Sequence, residues 1–153
     1  MAQRVTFFHK GGIEMSDHFL LESENFRLSL HFRVFESDIS YPNNTTLSVS
    51  VSSAGFAALS SMDIDVKEIK IFCVDLKKIY DTFKGEAKIG EPYGKQYIMF
   101  SCDKLGHIFI SGLLHSGGAN GFWQELKFEN AVDQTFLLHF LKDLTTFSQR
   151  FVS

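Results

Sequence analysis

With 153 residues, 44% of them hydrophobic and 22% charged, the chain is long enough to bury a core without metal or disulfide staples. A formal net charge of −3 leaves no electrostatic footprint for nucleic acid or an anionic membrane, and suits a basic partner instead. Seventeen phenylalanines against a single tryptophan predict a core built largely from Phe.

The opening MAQRVTFFHKGG has no signal-peptide h-region followed by a small-residue cleavage site, and no stretch approaches the roughly 20 apolar residues that span a bilayer. A cytoplasmic protein is expected. Residues 1–17 are read as an N-terminal extension to a single domain covering 1–153. A short strand over Phe19–Glu22 and the turn Ser23-Glu24-Asn25 come next. From Phe26 to Val34, apolar Phe26, Leu28, Leu30, Phe32 and Val34 alternate with Arg27, Ser29, His31 and Arg33, the period of a half-buried strand. ESDISYPNN reads as an exposed loop, and the two glycosylation sequons in Asn43-Asn44-Thr45-Thr46 matter only in a secreted chain. TTLSVSVSS is a further strand, while GFAALSSM is ambiguous and fits a short returning one.

The period then changes. Asp65 and Glu68 have capping-box spacing, and Ile69, Phe72, Cys73, Leu76, Ile79, Tyr80 and Phe83 recur at three and four, predicting an amphipathic helix stopped by Gly85. EAKIG, QYIMFSC, HIFISGLL and GFWQELKFE follow as strands joined by short Gly-containing links, which favour antiparallel neighbours. Asp133 caps a second helix with the stripe Phe136, Leu137, Phe140, Leu141, Leu144 and Phe147. The expected class is α+β: one antiparallel, twisted sheet of about six to eight strands, with two amphipathic helices on one face. No internal repeat is visible.

Signals for chemistry are sparse. None of His9, His18, His31, His107, His115 and His139 pairs at a metal-ligand spacing, so neither a metal nor a cofactor is expected. No nucleophile elbow or phosphate loop occurs, and no catalytic residue is assigned. SGGANG, Ser116 to Gly121, lies between strands and reads as a hairpin loop. Cys73 and Cys102 sit in apolar segments as reduced thiols. On the last strand Trp123, Glu125, Lys127 and Glu129 share one face, with Phe122, Gln124, Leu126 and Phe128 on the other. An indole on a polar face lies under a loop or serves as an exposed anchor. In DKLGHIFISG, Gly106 relieves a turn and His107 opens a strand, its imidazole bonding to a turn group or a neighbouring strand.

The run DLKKIYDTFKGEAKI, then LGHIFISG, then LKFENAVDQTFLLHFLKDLTTF, resembles the WapI family of bacterial immunity proteins. The features that match are Gly85-Glu86-Ala87 at the helix exit, Gly106-His107 at a turn, and Asp133-Gln134-Thr135 opening the terminal helix. The similarity runs from about Phe19 to Phe147. The resemblance implies a non-enzymatic protein whose partner is the C-terminal domain of a cognate toxin, often a nuclease; charge and hydropathy, as above, give no nucleic-acid or membrane partner. It carries over no binding residues. Exposure and residue type alone nominate Glu36, Asp38, Tyr41, Trp123 and Glu125 as partner-binding. A second reading stays open, a small-ligand-binding or enzymatic α+β domain with a Phe-lined pocket between sheet and helices.

Overall fold

The structure, a computed structural model, describes residues 3–8, 14–117 and 120–151. Among these, nine strands and two helices run in the order β1 (Gln3–Phe8), β2 (Glu14–Ser23), β3 (Phe26–Phe35), β4 (Thr45–Ser53), β5 (Phe56–Ile64), α1 (Val66–Thr82), β6 (Glu86–Gly90), β7 (Tyr97–Cys102), β8 (Ile108–Ser116), β9 (Gln124–Val132) and α2 (Gln134–Ser148). The α+β class, the antiparallel pairing and both helices are as the sequence indicates. The strands, however, form two sheets: β1-β2-β3-β4-β5 and β6-β7-β8-β9. Within the stretch read as an extension, β1 pairs with β2 from Gln3↔Leu20 to Phe8↔Met15. The ambiguous GFAALSSM belongs to β5, a full partner of β4 across a two-residue turn in which Ala54 (φ 49°) and Gly55 (φ 89°) both take positive φ. Such a turn matches the right-handed twist of the strands it joins.

Both sheets turn their apolar face to one core. Period-two burial places Phe26, Leu28, Leu30, Phe32 and Val34 of β3 inside, together with Leu47, Val49 and Val51 of β4. The second sheet contributes Ala87, Ile89, Ile98, Phe100, Ile108, Ile110 and Leu114. Phe rings join the layers. Phe140 of α2 stacks on Phe100 of β7 at 5.7 Å and meets Phe19 of β2 edge-on at 6.5 Å. Phe147 contacts Phe19 at 5.7 Å and Phe32 at 6.0 Å, and Phe72 of α1 meets Phe100 at 5.6 Å. These rings occupy the space between sheets and helices where the ligand-binding reading would put a Phe-lined pocket.

Helix α1 starts on two side chains. Asp65 accepts from the Lys67 N–H (2.9 Å), as a capping residue should. Glu68 makes no return bond; the Oδ1 of Asn44 accepts from the Val66 N–H at 2.8 Å instead. The helix is capped two residues before the expected Gly85. Phe83 is the cap, left-handed at φ 54°, ψ 36°, with its N–H on the Ile79 carbonyl at 2.9 Å. The four-strands-then-helix order of β2–β5 with α1 recurs in β6–β9 with α2, although the sequence shows no repeat. Each helix leans on the first strand of the other unit, α1 on β6 and α2 on β2.

Cys73, in α1, is buried, and burial pushes its thiol up to about 11 against the weaker opposing pull of Ser148 and Thr145. A thiol held protonated is a poor nucleophile. Iodoacetamide should therefore modify Cys73 far more slowly in the native protein than in urea. The raised value also carries a stability consequence. The unfolded thiol ionises near 9.0 and the folded one near 11, so stability present below pH 9 falls as pH rises through that window. Cys73→Val should lessen this alkaline loss in urea titrations at pH 8 and 10.5.

Candidate functional site

The turn before β8 settles the role of His107. Asp103 accepts at Oδ1 from the N–H groups of Leu105 (2.9 Å) and His107 (3.0 Å), while its Oδ2 lies 2.7 Å from the imidazole Nδ1. Gly106 takes φ +87° at the tip. The imidazole bonds to a turn group, as expected from sequence, and β8 begins one residue later at Ile108. The His107 side-chain bond is the main reason the Asp103 carboxyl lies below the ordinary 3.8. A lowered carboxyl contributes stability above its unfolded value, and that contribution is lost as pH falls through the folded one. In a carboxylate NMR titration, Asp103 should titrate below 3.8 and move back up in His107→Ala.

Of the five nominated residues, the structure brings two together. Trp123 donates through Nε1 to Glu125 Oε2 at 3.2 Å and stacks on His115 at 4.4 Å with an interplanar angle of 20°. It is 53% exposed, with one face of the ring against His115 and its edge near the Gly117 backbone. Strand β9 starts at Gln124, so Trp123 and Phe122 precede it. The expected inward face holds from Leu126 through Phe128 to Val132, but Phe122 and Gln124 are exposed because no sheet covers them. Glu36, Asp38 and Tyr41 sit elsewhere, in and after a 3-10 turn (Glu36–Asp38) between β3 and β4. No hydrogen bond or ring contact among the described residues joins the two groups.

Asn44 holds that second loop. It is 2% exposed, and its Nδ2 donates to the carbonyls of Ile39 (3.1 Å) and Tyr41 (3.0 Å). Its Oδ1 accepts from the Thr45 hydroxyl (2.9 Å) as well as from Val66. The sequon residue is thus a buried structural pin.

Around Trp123 the two sheets come together at β5. Gln96, almost fully buried just before β7, donates through Nε2 to the Ser61 carbonyl (2.9 Å), and its Oε1 accepts from the His115 N–H (3.1 Å) and the Ser60 hydroxyl. The Ser60 hydroxyl also faces the His115 carbonyl at 3.0 Å, so its proton is shared. Glu91 Oε1 takes the Gln96 N–H at 2.9 Å and lies 3.6 Å from His115 Nε2. This is a latch between sheets and not a nucleophile–base pair, since Ser60 meets the backbone of His115 and not its ring. At the other end Asn130 Nδ2 donates to Ser53 Oγ at 3.0 Å. Between latch and tether the sheets part, leaving a groove of ≈ 390 Å³ lined by Phe56–Ser60 on one side and by Leu114–Ser116 and Gln124–Leu126 on the other. Phe56 and Leu59 there are 68% and 76% exposed. Among the described residues no group of three or more His, Cys, Asp or Glu could hold a metal ion. No helix among them is long and apolar enough to cross a membrane.

Sequence reasoning missed Phe56, Leu59, Glu91, Gln96 and His115. One signal was present: the run FAAL has no polar alternation, unlike the strands on either side.

Residues 18–152 match the model of the immunity protein WapI-like family, and the chain belongs to that family. Its role is that of an immunity protein in the general sense the family defines. No curated protein gives a significant match. Among solved structures, one titled "Crystal structures of trypanosoma bruciei MRP1/MRP2" is similar, with 11% identity and a TM-score of 0.40 over 98% of this chain and 82% of that one.

Proposed function

We propose that this protein acts without catalysis, binding the C-terminal domain of a cognate toxin, a nuclease in the first instance, and neutralising it in the cytoplasm of the producing cell. Family membership over residues 18–152 is the observation that carries the reading. The net charge of −3 supports it, because an acidic inhibitor meets a basic nuclease with a fast, electrostatically steered encounter. Trp123 and Glu125 supply the anchor, a large ring held in place by His115 and a carboxylate. Glu36, Asp38 and Tyr41 form a second contact group on the loop pinned by Asn44.

The test is co-expression with the toxin domain encoded immediately upstream. Cells making both proteins should grow, and cells making the toxin alone should not. Failure of the wild-type protein to rescue growth, together with no complex on mixing the purified proteins, would end this reading.

A further inference from the structure

We infer that the outer edge of β5, at Ala57 and Leu59, is a docking site for an extended, positively charged segment of the toxin domain, which adds to the five-stranded sheet as a further strand. The inference rests on the toxin-binding reading and names the surface and the form of contact.

The edge follows from the register. Phe56 faces Ser53 directly across a two-residue turn, which makes them a hydrogen-bonded pair. Pairing then alternates, so Phe56, Ala58 and Ser60 aim their backbone groups at β4, whereas Ala57, Leu59 and Ser61 aim theirs away from it. The Ser61 carbonyl accepts from Gln96. The N–H and C=O of Ala57 and Leu59 meet no partner among the described residues. β5 is the last strand of its sheet, and the second sheet swings clear of it between the Gln96 latch and the Asn130 tether.

An open edge is normally blunted by charge, proline or a covering element, because it is a template for pairing with another chain. This one carries the opposite set, Phe56, Ala57, Ala58 and Leu59, on a stretch that is largely exposed. An extended segment of about three residues would satisfy the four free backbone groups, as in strand addition generally. Its side chains would alternate between the groove, where Phe56 and Leu126 offer apolar contact, and the outer face beside Leu59. Glu125 on the groove wall and Glu91 at the latch end favour Lys or Arg on the incoming strand. A second copy of this chain would instead bring its own Glu125 and Glu91 toward the same carboxylates.

Leu59→Pro removes one outward N–H and leaves the β4 ladder alone, a change edge strands tolerate. The probe is the upstream-encoded toxin domain, catalytically inactivated and purified, read by calorimetry and by hydrogen exchange on the full chain. Leu59→Pro should weaken binding at least tenfold, and the amides of Ala57 and Leu59 should gain protection when wild-type protein binds. If Leu59→Pro does not fold, the exchange data decide alone. Wild-type binding with these amides unprotected, or with Leu59→Pro binding as well as wild type, overturns the docking site and leaves the immunity reading standing. No wild-type binding removes both. Protection of the same amides without toxin, in a protein that runs as a dimer, assigns the edge to a second copy and also overturns the inference.

Discussion

Phe140→Ala is expected to cost about 3–5 kcal/mol, the range for deleting a fully buried aromatic ring. Phe140 is 0% exposed and sits where the layers meet, stacked on Phe100 and edge-on to Phe19. Its removal takes away transfer energy and leaves a void that neither β2 nor β7 can close, since both are held in their sheets. Aromatic geometry adds about 0.5–1.5 kcal/mol per pair beyond buried area. In a chain of this size that loss should lower the melting temperature by about 10 °C. Urea denaturation would show it as a fall in midpoint with little change in slope. Phe140→Leu, which keeps most of the volume, should lose clearly less. Equal losses in the two variants would mean that ring packing is not what α2 contributes.

The second large effect falls on a polar residue. Asn44→Ala strands the Val66 N–H at the start of α1 and releases the carbonyls of Ile39 and Tyr41. Each buried group left unsatisfied costs about 1–3 kcal/mol, and the two carbonyls can recover part of that from water. A net loss of about 2–4 kcal/mol is expected. Asn44→Asp should do no better, because it keeps the acceptor for Val66 but sets a second oxygen against two carbonyls. Hydrogen exchange should find the loop after β3 and the first turn of α1 opening together in either variant. Exchange that rises in the loop alone would show that Asn44 does not couple the two.

These two residues also mark what could be read from the sequence. Phe140 belongs to a stripe with Phe136, Leu137, Leu141, Leu144 and Phe147, so its burial follows from periodicity within one helix. The β3 alternation and both Asp caps are legible for the same reason. Asn44 is not, because the Val66 N–H that it satisfies lies on a helix 22 positions away. The joint between the two sheets was hidden similarly. It depends on Gln96 reaching Ser60 and Ser61, 36 and 35 positions earlier, and no local pattern encodes that. At the candidate site, Trp123 was legible as an unusual residue on a polar face, but its stacking partner His115 and the opposite groove wall come from other strands. Phe122 misled: it holds an inward position by alternation with Leu126 and Phe128, yet it is exposed, as Phe56 is, because the layer that would cover it has turned aside.

The crossed arrangement of the helices has a consequence for the order in which this molecule can be assembled. Phe19 of the second strand is covered by Phe147 near the far end of the chain, and Arg150 reaches back to Asp17 at 3.8 Å. The first sheet can pair its strands early, since the β2–β3 and β4–β5 hairpins each turn in two residues, yet one stretch of its apolar surface stays bare until α2 arrives. During synthesis that surface waits until α2 has left the ribosome, which favours late closure over stepwise folding of the two sheet-and-helix units. A nascent chain interrupted after α1 would expose Phe19 and Phe32 together, and so present the cell with a sticky intermediate in place of a smaller folded protein.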